Sequence, residues 1–196
     1  MIYILYLAAG SGRRFGKNKL LAPLNGRPLF AWGLDTLCRV VRARSDCRLA
    51  VVSRYEAVLA AANAAGALAV NSPLSEQGIS YSIRAGIEAI GPLNEEDFLL
   101  FVLSDQPRLT CRSMERMLSA AKPGVLAASA FFDGTPGSPT LFSARLVPEL
   151  LALEGDKGGR CVLNRHKDET VQIELCSADE LWDVDTPLDL AAGEAR

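Results

Sequence analysis

Apolar positions along this chain fall into two rhythms. Ile2, Ile4, Leu5 and Leu7 make a nearly continuous apolar run with β-branched and aromatic content, and residues 98–103 (Phe-Leu-Leu-Phe-Val-Leu) make a second. A run of that kind suits a central strand covered on both faces, which need not alternate apolar with polar. Between them, Leu29, Trp32, Leu34, Leu37, Val40 and Val41 recur at helical spacing through Arg44, after a Gly26-Arg27-Pro28 break in which Pro28 suits a first helical turn. The pattern predicts a strand over 48–53, an Ala-rich helix over 55–65, a short strand over 67–70, and a helix from Gly78 to about Ile90. Beyond the second run it predicts a strand over 125–132, a long Gly- and Pro-rich turn over 133–139 and a short strand over 140–142. A helix over 144–153, a helical stretch over 161–165, an edge strand over 171–175 and a last helix opening at Thr186-Pro187 complete the chain. Strands alternating with helices of these lengths pair in parallel through right-handed crossovers. The expectation is a single α/β domain over 1–196 with a mostly parallel sheet, since no repeat, low-complexity tract or linker marks a second unit.

Composition narrows the classes. A length of 196 residues favours one α/β domain with a sizeable core, and a net charge of -2 gives no reason to expect nucleic-acid or membrane partners. The apolar stretches are too short to span a bilayer, and the N-terminus has no basic flank of the kind a signal peptide carries. Five scattered cysteines without C-x-x-C spacing read as reduced thiols of a cytoplasmic protein.

Candidate chemistry gathers where the two apolar runs end. After the first come Ala8-Ala9-Gly10, then Gly12 and Gly16 among Arg13, Arg14, Lys17 and Lys19. Glycines let a backbone close on a ligand and turn successive N–H groups inward, so with four cations this loop is suited to a polyphosphate. The spacing is neither G-x-G-x-x-G nor G-x-x-x-x-G-K-[ST]. The second run ends in Ser104-Asp105-Gln106-Pro107, which delivers a carboxylate to the tip of a central strand, where it needs a cation or donors. A helix cap is the competing role for Asp105, but Pro107 and Thr110 are better placed to open the next helix. Asp183 and Asp185 alternate in the closing segment and share a face if it is extended, so Asp185 can meet Asp105 beside the phosphate loop. Ser80 and Ser82 stand at a helix start, where they can cap it or touch a ligand. His166, the one histidine, lies among charges at a helix end and reads as solvated rather than as a catalytic base.

The first loop matches L-A-A-G-x-x-x-R-x-G-x-x-K through Leu7, Ala8, Ala9, Gly10, Arg14, Gly16 and Lys19. It resembles the signature of nucleotidyltransferases built like glycosyltransferase-A domains, with a Rossmann-like three-layer sandwich. With Gly78 to Ser82, Asp105-Gln106-Pro107, Gly137-x-Pro139, Gly155-Asp156-Lys157-Gly158 and Asp183-Val184-Asp185-Thr186-Pro187 in the same order, nearly the whole chain resembles the molybdenum cofactor cytidylyltransferases of the MobA-like type. The methylerythritol-phosphate enzymes share the first loop but carry a basic Ala-Arg-Pro motif where this chain has Asp105-Gln106-Pro107. The resemblance implies transfer of CMP from CTP to the phosphate of a molybdopterin-type acceptor with release of pyrophosphate, Ala8-Ala9 going with CTP rather than GTP. It implies that Arg14, Lys19 and Asp105 are catalytic and that Leu7, Ala8, Ala9, Gly10, Gly12, Arg14, Lys19, Gly78, Ser80 and Ser82 bind nucleotide. Asp105 and Asp185 are then the ligands of Mg2+, and Gln106, Gly137, Ser138 and Pro139 face the acceptor. A molybdoenzyme client is a further implied partner. Alternatives are a transferase using GTP or another NTP on a sugar phosphate or other phosphorylated acceptor, and a non-catalytic nucleotide or cofactor carrier. Asn18, Ser104 and Ser138 depart from the family pattern, which often has proline, glycine, and histidine or asparagine in their places.

Overall fold

The computed structural model describes residues 1–10, 15 and 18–194, and the first apolar run becomes β1 (Ile2–Leu7), an inner strand of a seven-stranded sheet among those residues. A small antiparallel ribbon, β2 (Pro23–Leu24) with β3 (Arg27–Pro28), leads into α1 (Leu29–Arg42). There follow β4 (Cys47–Ser53), α2 (Glu56–Ala64), β5 (Leu68–Asn71), α3 (Ile79–Ile90), β6 (Phe98–Leu103) and α4 (Cys111–Ser119). The last part comprises β7 (Ala127–Phe132), β8 (Thr135–Ser143), α5 (Val147–Leu151), α6 (Gly159–Arg165), β9 (Thr170–Glu174) and α7 (Pro187–Glu194).

The sheet order is β5-β4-β1-β6-β8-β7-β9. β1 is paired in parallel on both sides, Leu7 opposite Val52 of β4 and Leu103 of β6, so these strands end at one level. Only β8 runs against its neighbours. Each central strand divides its side chains between two cores. Ile2, Ile4 and Tyr6 of β1 and Leu100 and Val102 of β6 join α1, α2 and α4 on one face. Leu5, Leu7, Leu99 and Phe101 join α3, α5 and α6 on the other. This is the three-layer α/β arrangement that the unbroken apolar runs required. The five cysteines are free thiols, and no helix among the described residues is long and apolar enough to cross a membrane.

Two segments differ from the sequence pattern. Pro28 ends the β2–β3 ribbon and stands at the N-cap of α1 rather than within its first turn, because Asn25 and Gly26, with φ of 50° and 75°, close a tight hairpin just before it. The stretch over 133–139 is not a long turn. Asp133 and Gly134, with φ of 46° and 74°, form a two-residue reversal, and β8 starts at once at Thr135. Positive φ at both central residues matches the twist of the flanking strands. Pro139 is tolerated because residues 137–139 fall where the β7–β8 ladder is interrupted, between Phe131 opposite Pro136 and Ser129 opposite Thr140.

Candidate active site

A cleft of about 370 Å³ opens at the C-terminal tips of β1 and β6, where open α/β sheets bind ligands. The chain leaves β1 with the N–H of Ala8 donating to the carbonyl of Val52 at 2.8 Å. Alternation then sends Ala8 into the core and leaves Leu7, Ala9 and Gly10 on the cleft. The carbonyl of Gly10 accepts from the hydroxyl of Tyr55 at 3.0 Å, which ties the start of the phosphate loop to the turn after β4. Gly12, Arg14 and Gly16 lie outside the described residues.

Lys19 organises the floor. It sits in a short 3-10 turn (Lys19–Leu21) capped by Asn18, whose side chain accepts from the N–H of Leu20 at 3.1 Å. Its Nζ donates to Asp105 Oδ2 at 2.9 Å, to Asp185 Oδ1 at 3.0 Å and to the carbonyl of Val184 at 2.8 Å. Burial opposes its positive charge, but the two carboxylates outweigh that and raise its pKa above the ordinary lysine value. Asp105 arrives at the end of β6, and its carbonyl accepts from the N–H of Val184 at 3.0 Å, fixing the closing segment against that strand. Asp185 is held from behind. Asp189 Oδ2 accepts from the N–H groups of Asp185 and Thr186 at 3.0 and 2.7 Å and from the Thr186 hydroxyl at 2.9 Å, and its own N–H donates back to that hydroxyl at 3.3 Å. This reciprocal cap opens α7 where Thr186-Pro187 foretold it. Asp183 and Asp185 flank the fully buried Val184. Burial first, and the nearby Asp105 next, push the Asp183 carboxyl above its ordinary pKa.

The opposite wall is the start of α3. Gly78 has φ 138°, and a Cβ there would run into the backbone of Gly155, so a side chain at this position would force the 155–156 turn away. The turn closes on the helix through the N–H of Ser80, which donates to the carbonyl of Gly155 at 3.1 Å. Gly78 and Ser82 line the cleft; Ser80 is buried beside it, its hydroxyl unpartnered among the described residues.

A second cavity of about 450 Å³ shares Leu7, Ile79 and Leu103 with the first. Gln106, Gly137 and Ser138 line it together with Phe101, Arg160 and Asp183, while Pro139 is buried outside its lining. Gln106 is 5% exposed, and its Oε1 finds no partner among the described residues.

Sequence reasoning had no signal for Ser75 and Glu76, which line the cleft ahead of α3. Glu76 is held by Arg54, whose guanidinium pairs with it at 3.0 Å and donates to the Tyr55 hydroxyl at 3.1 Å. Asp156 and Arg160 were visible only as a charged, glycine-rich turn. The histidine lies far along the chain from these groups, its ring paired with Glu149 at 2.7 Å and Glu169 at 3.4 Å.

The donor set suits a hard divalent cation. Asp105 Oδ1 is buried, faces no partner among the described residues, and belongs to a carboxylate lining the cleft with Asp185. No group of three or more His, Cys, Asp or Glu side chains converges among the described residues, and the carboxylates paired here are two, Asp105 and Asp185. Magnesium prefers such a site, with one or two carboxylates and the rest of its shell from phosphate and water. Among the described residues the charged lining is Lys19 against Glu76, Asp105, Asp156 and Asp185. A polyphosphate entering such a cleft needs added positive charge.

Comparison with known proteins places these features in context. Residues 4–170 match the model of a family described as the MobA-like NTP transferase domain. The chain is 30% identical to the purine catabolism protein PucB of Bacillus subtilis over 196 residues, covering 93% of this chain and 91% of that protein. It is 31% identical to the nicotine blue oxidoreductase of Paenarthrobacter nicotinovorans over 189 residues, covering 92% and 90%. Among solved structures, a nucleotidyl transferase from Methanothermobacter thermautotrophicus superposes with a TM-score of 0.78 at 21% identity, covering 100% of this chain and 96% of that one. A manganese complex of Rv0371c from Mycobacterium tuberculosis superposes with a TM-score of 0.70 at 24% identity, covering 99% and 98%. The fold is that of the Rossmann-like nucleotidyltransferases.

Proposed function

Because this chain belongs to the MobA-like NTP transferase family, we propose that it moves a nucleotidyl group from a nucleoside triphosphate to a phosphate oxygen of a phosphorylated acceptor, releasing pyrophosphate. In its finer form the donor is CTP and the acceptor a molybdopterin-type cofactor. The observation that carries the reading is the convergence of Asp105 and Asp185 on one ammonium, 80 residues apart in sequence, in a cleft at the tip of β1. Paired carboxylates at the mouth of a phosphate loop are costly unless a cation joins them.

An acceptor phosphate is already a nucleophile, so the protein needs no strong base, and the described cleft contains no histidine. The work left to the protein is in-line positioning and neutralisation of charge at the α-phosphate. Magnesium, when bound, supplies that neutralisation, and Asp105 and Asp185 are the residues that hold it; the manganese complex of the Rv0371c protein supports a divalent ion in this fold. Leu7, Ala9, Gly10, Gly78 and Ser82 shape the nucleotide side of the cleft, and Arg14 with Gly12 supplies the triphosphate contacts expected of the loop. Gln106, Gly137, Ser138 and Asp183 form the acceptor side, where the two cavities meet at Leu7, Ile79 and Leu103. Preference for CTP rests on the Ala8-Ala9 pair, of which Ala9 lines the cleft and Ala8 packs in the core beneath it.

The similarity to nicotine blue oxidoreductase favours a second reading, in which the same cleft holds a nucleotide for a redox reaction. One assay separates the two. The purified protein is given Mg2+ and each NTP in turn, with and without molybdenum cofactor, and pyrophosphate is measured. In parallel it is given a reduced nicotinamide dinucleotide with a quinoid dye as two-electron acceptor, and oxidation of the dinucleotide is followed. Cofactor-dependent pyrophosphate release favouring CTP supports the finer proposal. Release with another NTP or acceptor retains only the coarser one, and dinucleotide oxidation without release overturns both.

A further inference from the structure

Lys19 is expected to hold a triphosphate, yet every donor of its ammonium is already used. Asp105 Oδ2, Asp185 Oδ1 and the Val184 carbonyl lie at 2.9, 3.0 and 2.8 Å, and the side chain is 9% exposed. Two carboxylates and a carbonyl around one positive centre are also the ligands a hard divalent ion selects. We infer that the Lys19 ammonium is a placeholder for the divalent cation: it keeps Asp105 and Asp185 together when the ion is absent and yields that position when the ion binds. Ion and ammonium therefore compete for one pair of carboxylates, and Lys19 is a positioning residue before it is a phosphate ligand. The inference rests on the metal-dependent reading above.

The surroundings require such a device. Asp183 stands two residues before Asp185 in the closing segment, and Glu76 and Asp156 line the same cleft as the pair. Like charges so arranged repel one another, and the empty site is less stable if no cation stands among them. The backbone around the carboxylates is already anchored, by the Val184 to Asp105 hydrogen bond on one side and the Asp189 cap on the other. The component free to exchange is the lysine side chain, a point charge on a flexible four-carbon stem. Asp105 Oδ1, unpartnered among the described residues, is the oxygen an ion gains that the ammonium does not use.

The test is Mn2+ binding to the nucleotide-free protein, followed by electron paramagnetic resonance of the free ion. Removing the competing ammonium in Lys19→Met tightens Mn2+ binding by about tenfold or more, the scale expected when a like charge leaves a partly buried site. Lys19→Arg, which keeps the charge, stays near the wild type. A Lys19→Met protein that binds Mn2+ as the wild type does, or more weakly, overturns the placeholder. Should that variant fail to fold, the wild type gives the answer by itself. Reductive methylation followed by mass spectrometry reports the exposure of Lys19, with the exposed Lys167 as internal reference. Saturating Mn2+ accelerates methylation of Lys19 several-fold over that reference, whereas unchanged or slower modification with Mn2+ bound overturns the inference. If neither protein binds Mn2+ even with CTP present, the metal-dependent reading fails and the placeholder with it. If the wild type binds Mn2+ and the two placeholder readouts do not move, only the placeholder fails.

Discussion

The cleft at the tip of β1 and the cavity beside β8 share a wall of Leu7, Ile79 and Leu103, yet they are made differently. The cleft is built from charge. Its key groups come from the 3-10 turn after the phosphate loop, the end of β6 and the closing segment, and they meet because an ammonium and two carboxylates satisfy one another at hydrogen-bond distance. The cavity is built from shape. Phe101, Ile83 and Leu103 form apolar walls, and Gln106 contributes a buried amide oxygen without a partner among the described residues. Charge in the first region makes it sensitive to losing any one member; the second can lose a polar group and keep its form. Under the proposed function the first region decides whether reaction occurs and the second what is accepted.

The largest expected break in that comparison is Asp105→Ala. Losing a carboxylate that holds an essential ion lowers turnover by about a thousandfold or more, several kcal/mol of barrier. Pyrophosphate release under saturating Mg2+ measures it, and undiminished turnover refutes the role given to Asp105. Gln106→Leu sharpens the contrast from the other side. It removes a buried oxygen with no described partner, so the free protein keeps or gains stability, while the acceptor KM rises roughly tenfold with nucleotide affinity unchanged. A change in nucleotide affinity instead of acceptor KM would assign Gln106 to the first region. Asp189→Ala removes the cap behind Asp185 and costs about 1 kcal/mol of stability, read as a lowered midpoint in denaturant. Because Asp185 loses its support, Mg2+ affinity falls with it; unchanged Mg2+ affinity would show that the cap serves only α7.

The smallest effect belongs to His166, away from both regions. Glu149 holds the imidazole pKa above its ordinary value, and His166 holds the Glu149 carboxyl below its own. A raised histidine pKa gives stability that is complete below the unfolded imidazole pKa and is lost as pH rises through the folded one. A depressed glutamate pKa gives stability present above the unfolded carboxyl pKa and lost as pH falls through the folded one. The pair contributes most in the weakly acidic window between them. His166→Gln lowers Tm by a degree or two there, on the scale of a single exposed pair. It changes little at alkaline pH, and activity is unaffected throughout.

How far the sequence was legible differs along the same line. The unbroken apolar runs of β1 and β6 announced a sheet covered on both faces, because only burial on two sides removes the need for alternation. Thr110 opened α4 as expected, its hydroxyl accepting from the N–H of Ser113 at 3.2 Å. Residues 133–139 misled because glycine and proline mark loops in general, while the Asp133-Gly134 pair marks a two-residue hairpin in particular. Ser75 and Glu76 gave no sign, since nothing in a polar loop tells which member faces a ligand. The meeting of Asp105 with Asp185 could be anticipated from strand ends; the partner they share could not.

Local pattern thus determined the layers, the direction of the central strands and the places where charged residues leave them, because hydrophobic period and turn chemistry act over a few neighbours. Tertiary structure alone decided that Lys19 turns to Asp105 and Asp185, that Ala8 faces the core while Ala9 faces the cleft, and that the 155–156 turn closes against Gly78. The physical reason is that a charged side chain settles against whatever opposite charge the packed chain brings within about 3 Å, and which residue that is depends on the fold as a whole.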